Sequence, residues 1–325
     1  MKMINTVCGP IAASDLGPVL MHEHFLFGFC GFQGDTTLGS FQKEATLQSN
    51  ITAVERAKAY GIHTVIDATT NECGRDPLFL KELSDRTGIH ILCSTGYYHE
   101  LESAFAYWKF RSSFTDIEQE IYEMFLAETT HGIGDTGICA GVIKLASSQG
   151  QITPMEQVFF RAAARASQNA DVPIITHTQG GTMGPEQATL LIQNGAQPHR
   201  IAIGHMCGNT DVSYHEAVLS QGVFDAFDRF GLEGELFHTP TDEERVSLLA
   251  ELIRRGWEDQ LLISHDSVTV ELGRPRPVPK ESLPFMAHAH IGNIGERIIP
   301  MLKAQGITET QLHKLLVENP ARLLG

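Results

Sequence analysis

Short apolar segments alternate with longer amphipathic segments along almost the whole chain. The short segments are rich in β-branched and aromatic residues, a pattern typical of buried strands. They lie at residues 18–24, 63–69, 90–98, 141–146, 173–178, 200–206, 222–230 and 260–265. Helical periodicity predicts helices at residues 43–60, 77–87, 115–130, 154–170, 185–194, 213–220, 242–255, 292–305 and 308–318. Two of these helices begin with clear signals: Thr153 precedes Pro154, and Thr241 and Glu244 have the spacing of a capping box.

Eight strand–helix alternations predict an α/β fold of the (β/α)8 TIM-barrel type, as a single domain over residues 1–325. The alternative is a doubly wound open sheet. That fold is expected to have a Gly-rich phosphate loop after an early strand, and the sequence has none there. The longest predicted irregular segment is 267–290, which would overhang the mouth of a barrel. It carries three cations, Arg274, Arg276 and Lys280, interleaved with prolines that include Pro279. We interpret these cations as solvated.

The composition narrows the classes of function. Of the 325 residues, 42% are hydrophobic and 19% charged, as in an ordinary globular protein. The formal net charge of −15 argues against nucleic acid as a partner, because phosphate backbones require basic surfaces. Six scattered cysteines without a Cys-x-x-Cys pair predict reduced thiols in a cytoplasmic protein. We expect neither a signal peptide nor a membrane span, and therefore no membrane partner.

Residues with metal-binding chemistry close several of the predicted strands. His22 and His24 are separated by one residue, so they would share one face of the first strand while Glu23 points to the other. The other candidates, each at the end of an apolar run, are Lys144, His177, His205 and Asp266. Singly, each is more often a structural polar residue than a ligand. Because barrel active sites collect at the carboxyl ends of the strands, the six together predict a metal site.

Some nearby residues receive a structural interpretation instead. His265 adjoins Asp266 on the last predicted strand and should face away from it. The remaining histidines, including His238, are assigned no role. The segment 25–32 contains four phenylalanines, for which we favour packing at the barrel rim over a substrate wall.

Lys144 is the most diagnostic of the six residues. An ammonium group repels cations, but reaction of the amine with CO2 gives a carbamate, N6-carboxylysine, whose two oxygens can bridge two ions. Four imidazoles, one carbamate and one carboxylate suit two divalent ions, with Zn²⁺ preferred and Co²⁺, Mn²⁺ or Fe²⁺ as alternatives. Such ions would share a bridging hydroxide, because they lower the pKa of water.

These motifs together make the sequence similar to the phosphotriesterase family of the amidohydrolase superfamily, and most similar to the phosphotriesterase-like lactonases. The resemblance extends from Gly17 to Arg322. It rests on the segments 22–24, 141–144, 176–178, 203–205 and 263–266. It implies a (β/α)8 barrel with a binuclear metal centre. By the resemblance, the buried ion would be held by His22, His24 and Asp266, the exposed ion by His177 and His205, and carboxylated Lys144 would bridge them.

Two further matches concern the substrate. Tyr98, in the segment 95–98, resembles the lactonase tyrosine beside the metal pair; the alternative is that it only caps the third strand. Arg229, in the segment 228–231, stands where organophosphate-degrading phosphotriesterases have a histidine of their proton relay. In those enzymes the second residue of the relay is acidic and follows the histidine that corresponds to His205. This sequence has Gly208 or Asn209 at that position. Asp266 would therefore be the proton acceptor and later donor.

Three functional hypotheses follow. The first is a metal-dependent lactonase or carboxylesterase that attacks small-molecule esters with the bridging hydroxide and has promiscuous phosphotriesterase activity. The second is hydrolysis of an amide or a phosphorylated sugar lactone on the same metals. The third is a non-catalytic ligand-binding barrel, which the complete set of six residues disfavours. The resemblance also makes a homodimer an expectation.

Overall fold

The computed structural model describes residues 3–35, 37–234, 239–278 and 280–325. His238 and Pro279, both named above, lie outside these ranges.

An antiparallel hairpin precedes a curled parallel sheet. The hairpin consists of β1 (Met3–Thr6) and β2 (Gly9–Ala12). The parallel strands are β3 (Val19–Phe27), β4 (Thr64–Asp67), β5 (His90–Gly96), β6 (Val142–Ser147), β7 (Ile174–Thr178), β8 (Ile201–Ile203), β9 (Phe224–Phe227), β10 (Leu261–Ile263) and β11 (Ser267–Glu271). They are hydrogen-bonded in the order β10-β9-β8-β7-β6-β5-β4-β3-β11. The hairpin was not predicted from the sequence.

The last two strands are the halves of one interrupted strand that closes the barrel. β10 pairs with β9, and β11 pairs with β3, with Ser267 opposite Glu23. At the interruption, the backbone N–H of Asp266 donates to the carbonyl of His22 over 3.0 Å. The predicted (β/α)8 barrel is therefore confirmed. The prediction that residue 267 begins an irregular segment was wrong, because pairing with β3 extends the strand to Glu271.

Most of the helices cover the outside of the barrel. They are α1 (Lys43–Lys58), α2 (Pro77–Thr87), α3 (Phe105–Arg111), α4 (Ile117–Thr130), α5 (Pro154–Ala170), α6 (Gly184–Gln193), α7 (Val212–Leu219), α8 (Asp242–Arg254), α9 (Leu283–Met286), α10 (Ile299–Ala304), α11 (Glu309–His313) and α12 (Asn319–Leu324). The Thr153 and Thr241 capping boxes are both formed. α3, α9 and α12 were not predicted, and the predicted helices 292–305 and 308–318 each contain a π-helical turn, at Ile294–Ile298 and Lys314–Glu318.

The core is divided between the barrel interior and the helix layer. The lower interior is filled by apolar side chains that point inward from successive strands. Leu16 and Leu323 pack against them from below. The faces of α5 and α8 pack on the outside of the sheet. Since apolar side chains fill the lower interior, a polar site can form only above them, at the carboxyl ends of the strands.

A β-bulge on β3 determines which side chains reach that end. Leu20 is paired with Val65 and Glu23 with Asp67, so β3 contains one residue more than β4 between these two pairs. Met21 contributes to the interior apolar cluster, and His22 and His24 line the cavity above it, while Glu23 points to the other side. Bulges of this kind re-aim a side chain.

Candidate metal centre

The structure brings all six predicted metal-type residues together at the top of the barrel. His22 and His24 come from β3, Lys144 from β6 and His177 from β7; His205 follows β8, and Asp266 lies between β10 and β11. All six line one cavity of about 420 Å³. His205 and Asp266 have left-handed backbones, with φ of 59° and 56°. Non-glycine residues rarely adopt this conformation, and it recurs at functional sites.

Several imidazoles are oriented by a hydrogen bond on one ring nitrogen. Nδ1 of His22 lies 2.8 Å from Oδ2 of Asp228, and Nδ1 of His205 lies 2.9 Å from Oδ1 of the same carboxylate. Nδ1 of His24 lies 2.8 Å from the hydroxyl of Thr69. In each of these rings, Nε2 is the nitrogen that remains for a ligand. Partners of this kind hold metal-binding histidines in place in other proteins.

His177 is oriented in the opposite sense. Its Nε2 lies 2.6 Å from Oε1 of Gln179, which leaves Nδ1 as the nitrogen available to an ion. The ring packs edge-on against that of His205, with centroids 4.4 Å apart.

The free nitrogens of three imidazoles converge on the Asp266 carboxylate. Nε2 of His24 is 3.1 Å and Nε2 of His22 is 3.5 Å from Oδ1, and Nε2 of His205 is 3.5 Å from Oδ2. The potential ligand atoms of His22, His205 and Asp266 all lie within 4.8 Å of one another. Imidazole nitrogens and a carboxylate at this spacing are the donor set that borderline divalent metals prefer, so the residues present fit a metal centre.

Lys144 lies at the centre of the cluster. Its side chain is buried, and Nζ donates to Nε2 of His22 over 3.2 Å and to the carbonyl of Thr176 over 3.1 Å. Burial lowers the pKa of this amine to about 8, although Asp228 and Asp266 oppose the shift. A neutral amine is the form that reacts with CO2, so this environment favours carbamate formation.

Glu23 anchors the strand interruption that presents Asp266. Its buried carboxylate accepts hydrogen bonds from the backbone N–H groups of His265 and Ser267, over 3.0 Å each, and from the hydroxyl of Ser264 over 2.8 Å. His265 Nδ1 lies 2.6 Å from the same carboxylate. Glu23 thus binds both neighbours of Asp266, and His265 faces away from the site as expected.

The surroundings of the cluster lower the pKa of its carboxylate and the pKa of its imidazole, with different consequences for charge. Burial alone would raise the pKa of Asp266, but the rings of His205 and His22, the hydrogen bond with His24 and the guanidinium of Arg229 outweigh it and hold that pKa well below its ordinary value. Burial and the nearby Lys144 lower the pKa of His22 to about 4. The site therefore presents an ionised carboxylate and a neutral imidazole at pH 7, which are the forms that bind metal ions.

Arg229 and Tyr98 form part of the cavity wall above the cluster. Nε of Arg229 lies 3.3 Å from Oδ2 of Asp266. The ring of Tyr98 packs edge-on against His177, with centroids 4.9 Å apart, whereas Tyr97 packs in an aromatic cluster with Phe105 and is not among the described residues that line the cavity. Burial raises the pKa of Tyr98 above its ordinary value, so its phenol stays protonated.

The upper wall of the cavity is mainly apolar. Phe27 and Phe29 line it, so part of the predicted rim packing in 25–32 is a wall of the cavity instead. Arg276 also lines the cavity and is paired with Glu271 over 3.2 Å, rather than being a purely solvated loop cation. Arg274 is exposed and paired with Asp35.

Sequence reasoning did not assign roles to four residues that organise the site: Glu23, Thr69, Gln179 and Asp228. Asp228 was placed inside a strand predicted over 222–230, but β9 ends at Phe227, which puts Asp228 at the strand end. Its position, one residue beyond an apolar run, is the sequence feature that could have identified Asp228 as a site residue.

A closed α/β barrel with imidazoles, a carboxylate and a lysine at the carboxyl ends of its strands defines a barrel metallohydrolase. The model of the phosphotriesterase family matches residues 2–324, and the chain belongs to that family. Membership implies a binuclear divalent-metal centre and a metal-dependent ester-hydrolysing enzyme.

Individual relatives agree with this assignment. The chain is 32% identical over 318 residues to the aryldialkylphosphatase of Saccharolobus solfataricus, with 97% of each chain covered. It is 53% identical to the organophosphorus hydrolase from Deinococcus radiodurans, whose solved structure superposes with a TM-score of 0.98 over 99% of this chain and 97% of that one. A mutant phosphotriesterase-like lactonase from the same organism is also 53% identical, with a TM-score of 0.97 and coverage of 99% and 100%. Among the described residues, no helix is long and apolar enough to cross a membrane.

Proposed function

We propose that this protein hydrolyses lactones and carboxylic esters and cleaves phosphotriesters as a slower, promiscuous activity. The observation that carries the proposal is the convergence of four imidazoles, Asp266 and Lys144 at the base of a cavity whose upper wall is apolar. Relatives described as an organophosphorus hydrolase and as a phosphotriesterase-like lactonase support it.

The proposed ligands fall into two sets. His22, His24 and Asp266 would hold the buried ion, and His177 and His205 the more exposed one. Lys144, as N6-carboxylysine, would bridge them: its neutral amine adds to CO2, forms an N–C bond and releases one proton. The nitrogen and oxygen donors favour Zn²⁺, with Co²⁺, Mn²⁺ or Fe²⁺ as alternatives.

When bound, the ions supply Lewis acidity toward the ester carbonyl and lower the pKa of water to give a nucleophile at neutral pH. Asp266 accepts the proton of the attacking water on its carboxylate and returns it to the leaving alkoxide. Arg229, beside Oδ2, keeps that carboxylate ionised and in place. Tyr98 carries a protonated phenol in the cavity wall and can donate a hydrogen bond to a substrate oxygen.

The shape of the cavity supports a substrate with a compact ester group and an apolar body. The reacting carbonyl would lie over the imidazoles, and the apolar body would contact Phe27, Phe29 and Leu232. Apolar contacts of this kind tolerate several substrate sizes, which suits an enzyme with promiscuous activities.

Metal analysis combined with a substrate panel tests the proposal. Protein loaded with Zn²⁺ or Co²⁺ should contain two ions per chain and hydrolyse lactones and aryl esters fastest among lactones, aryl esters, amides and phosphotriesters. Faster amide cleavage would favour the second hypothesis. Fewer than two ions with no hydrolysis would favour a ligand-binding barrel.

We further propose that residues 1–325 act as one domain, in the cytoplasm and as a homodimer. The six cysteines are all free thiols, as expected in a reducing compartment. Light scattering of the purified protein would decide the oligomeric state.

A further inference from the structure

Asp228 contacts one histidine from each half of the proposed metal centre. Its carboxylate is buried, with 2% of the side chain exposed. Oδ2 accepts from Nδ1 of His22 over 2.8 Å, and Oδ1 accepts from Nδ1 of His205 over 2.9 Å. The two rings are stacked with centroids 4.8 Å apart, so this carboxylate joins them along one edge.

The remaining contacts determine which ring nitrogen carries the proton. The ionised carboxylate can only accept, so both Nδ1 atoms must be N–H donors and both Nε2 atoms must carry lone pairs. Nε2 of His22 also lies 3.2 Å from Nζ of Lys144, whose N–H groups can donate to the lone pair that this tautomer leaves there. A ring whose proton lay on Nε2 could not bind an ion through that atom.

We infer that Asp228 is a positioning residue that sets the tautomer of His22 and His205 together, so that one carboxylate controls the loading of both ions. The inference rests on the proposed metal centre for its consequence, but the tautomers are properties of the metal-free protein. His24 and His177 are set separately, by Thr69 and Gln179, so each of those partners controls a single ring.

A backbone hydrogen bond distinguishes the two carboxylate oxygens of Asp228. Oδ1 also accepts the backbone N–H of His205 over 2.7 Å, and this donor cannot be reversed. In the Asp228→Asn variant, the amide oxygen must therefore remain on the His205 side. Its NH2 group then faces Nδ1 of His22, which has to become an acceptor and move its proton to Nε2. That proton would point toward Oδ1 of Asp266, 3.5 Å from Nε2, and Lys144 would keep only its hydrogen bond to the carbonyl of Thr176.

Nitrogen NMR of isotope-labelled histidine in the metal-free protein tests the tautomers directly. In the wild type, His22 and His205 should both be protonated at Nδ1. In Asp228→Asn, His22 should switch to Nε2–H while His205 stays unchanged. Thr69→Val is the matched control: it removes the partner of His24 and should leave both rings unchanged. An Nε2–H tautomer of either ring in the wild type, or an unswitched His22 in Asp228→Asn, would overturn the inference.

Metal titration of the same proteins measures the consequence. Asp228→Asn should lower the affinity for one ion by about 10–100-fold, the range observed for loss of an orienting partner of a metal ligand, and leave the affinity for the other ion unchanged. Asp228→Ala should lower the affinity for both ions. Equal affinities in the wild type and Asp228→Ala would contradict control of loading by this carboxylate. If the wild type itself binds fewer than two ions while the tautomers switch as expected, the proposed metal centre fails and the positioning role of Asp228 stands.

Discussion

The guanidinium of Arg229 lies beside the carboxylate of Asp266, with Nε 3.3 Å from Oδ2. Arg229 is partly exposed to the cavity, and the Asp266 side chain is 15% exposed. An arginine cannot take up a proton at neutral pH, so it stabilises the carboxylate without relaying protons from it. Proton transfer in this protein should therefore depend on Asp266 itself.

The Asp266→Asn variant tests this dependence. The amide can still offer an oxygen to an ion but cannot accept a proton, so we expect kcat to fall by about 10²–10⁴-fold with at least one ion retained. Steady-state kinetics and metal analysis of one preparation would check this. Asp116→Asn, at the exposed N-cap of α4, is a suitable control because Asn caps a helix as well as Asp does. An unchanged kcat in Asp266→Asn would mean that the proton leaves by another route.

Removal of Lys144 should empty the centre. In Lys144→Ala the proposed bridge is lost, and we expect both ions and nearly all activity to be lost with it. Added short carboxylic acids should restore part of the activity by occupying the place of the carbamate. Lys144→Met keeps the packing volume of the buried side chain and should be equally inactive without rescue. Full metal content and normal turnover in Lys144→Ala would refute the carbamate.

Substrate preference should follow from the residue at position 229. Asp266 can protonate the tethered alkoxide of an opened lactone, but the site lacks an imidazole at position 229 to assist departure from a phosphotriester. We expect kcat/KM for the best lactone or ester to exceed that for paraoxon-like triesters by at least about 10²-fold, or roughly 2.7 kcal/mol. Kinetics on one metal-loaded preparation would measure the ratio. Equal or reversed values would favour a dedicated phosphotriesterase.

The Glu23 carboxylate should stabilise the fold in a pH-dependent way. Burial alone would raise its pKa, but His265, Ser267 and Ser264 outweigh burial and hold the pKa below its ordinary value of 4.5. Because the folded pKa is the lower one, the stabilisation is present above pH 4.5 and disappears as the pH falls through the folded value.

Glu23→Gln should therefore lower the free energy of unfolding by about 1.5–3 kcal/mol at pH 7, the range for hydrogen bonds to a buried charged group. Chemical denaturation of the metal-free protein at several pH values would show the difference from wild type shrinking below pH 4.5. Glu44→Gln, on the exposed first turn of α1, should have little effect at any pH. A constant difference across the pH range would mean that the charge of Glu23 contributes nothing.

The sequence by itself was sufficient for the fold class and for the identities of the candidate metal residues. Strand and helix periods are local properties, so alternating segments predicted the barrel, and polar residues at the ends of apolar runs marked His177, His205 and the rest. The face shared by His22 and His24 followed from the period of a strand alone.

Only the tertiary structure decided how these residues are held. The β3 bulge depends on pairing with β4, and β11 exists because residues 267–271 lie beside a strand that is distant in sequence. The contact of Asp228 with His22 spans 206 positions along the chain, and that of Glu23 with Ser267 spans 244. No local pattern specifies such partners, because a hydrogen bond across the barrel forms only after closure brings the two strand ends together.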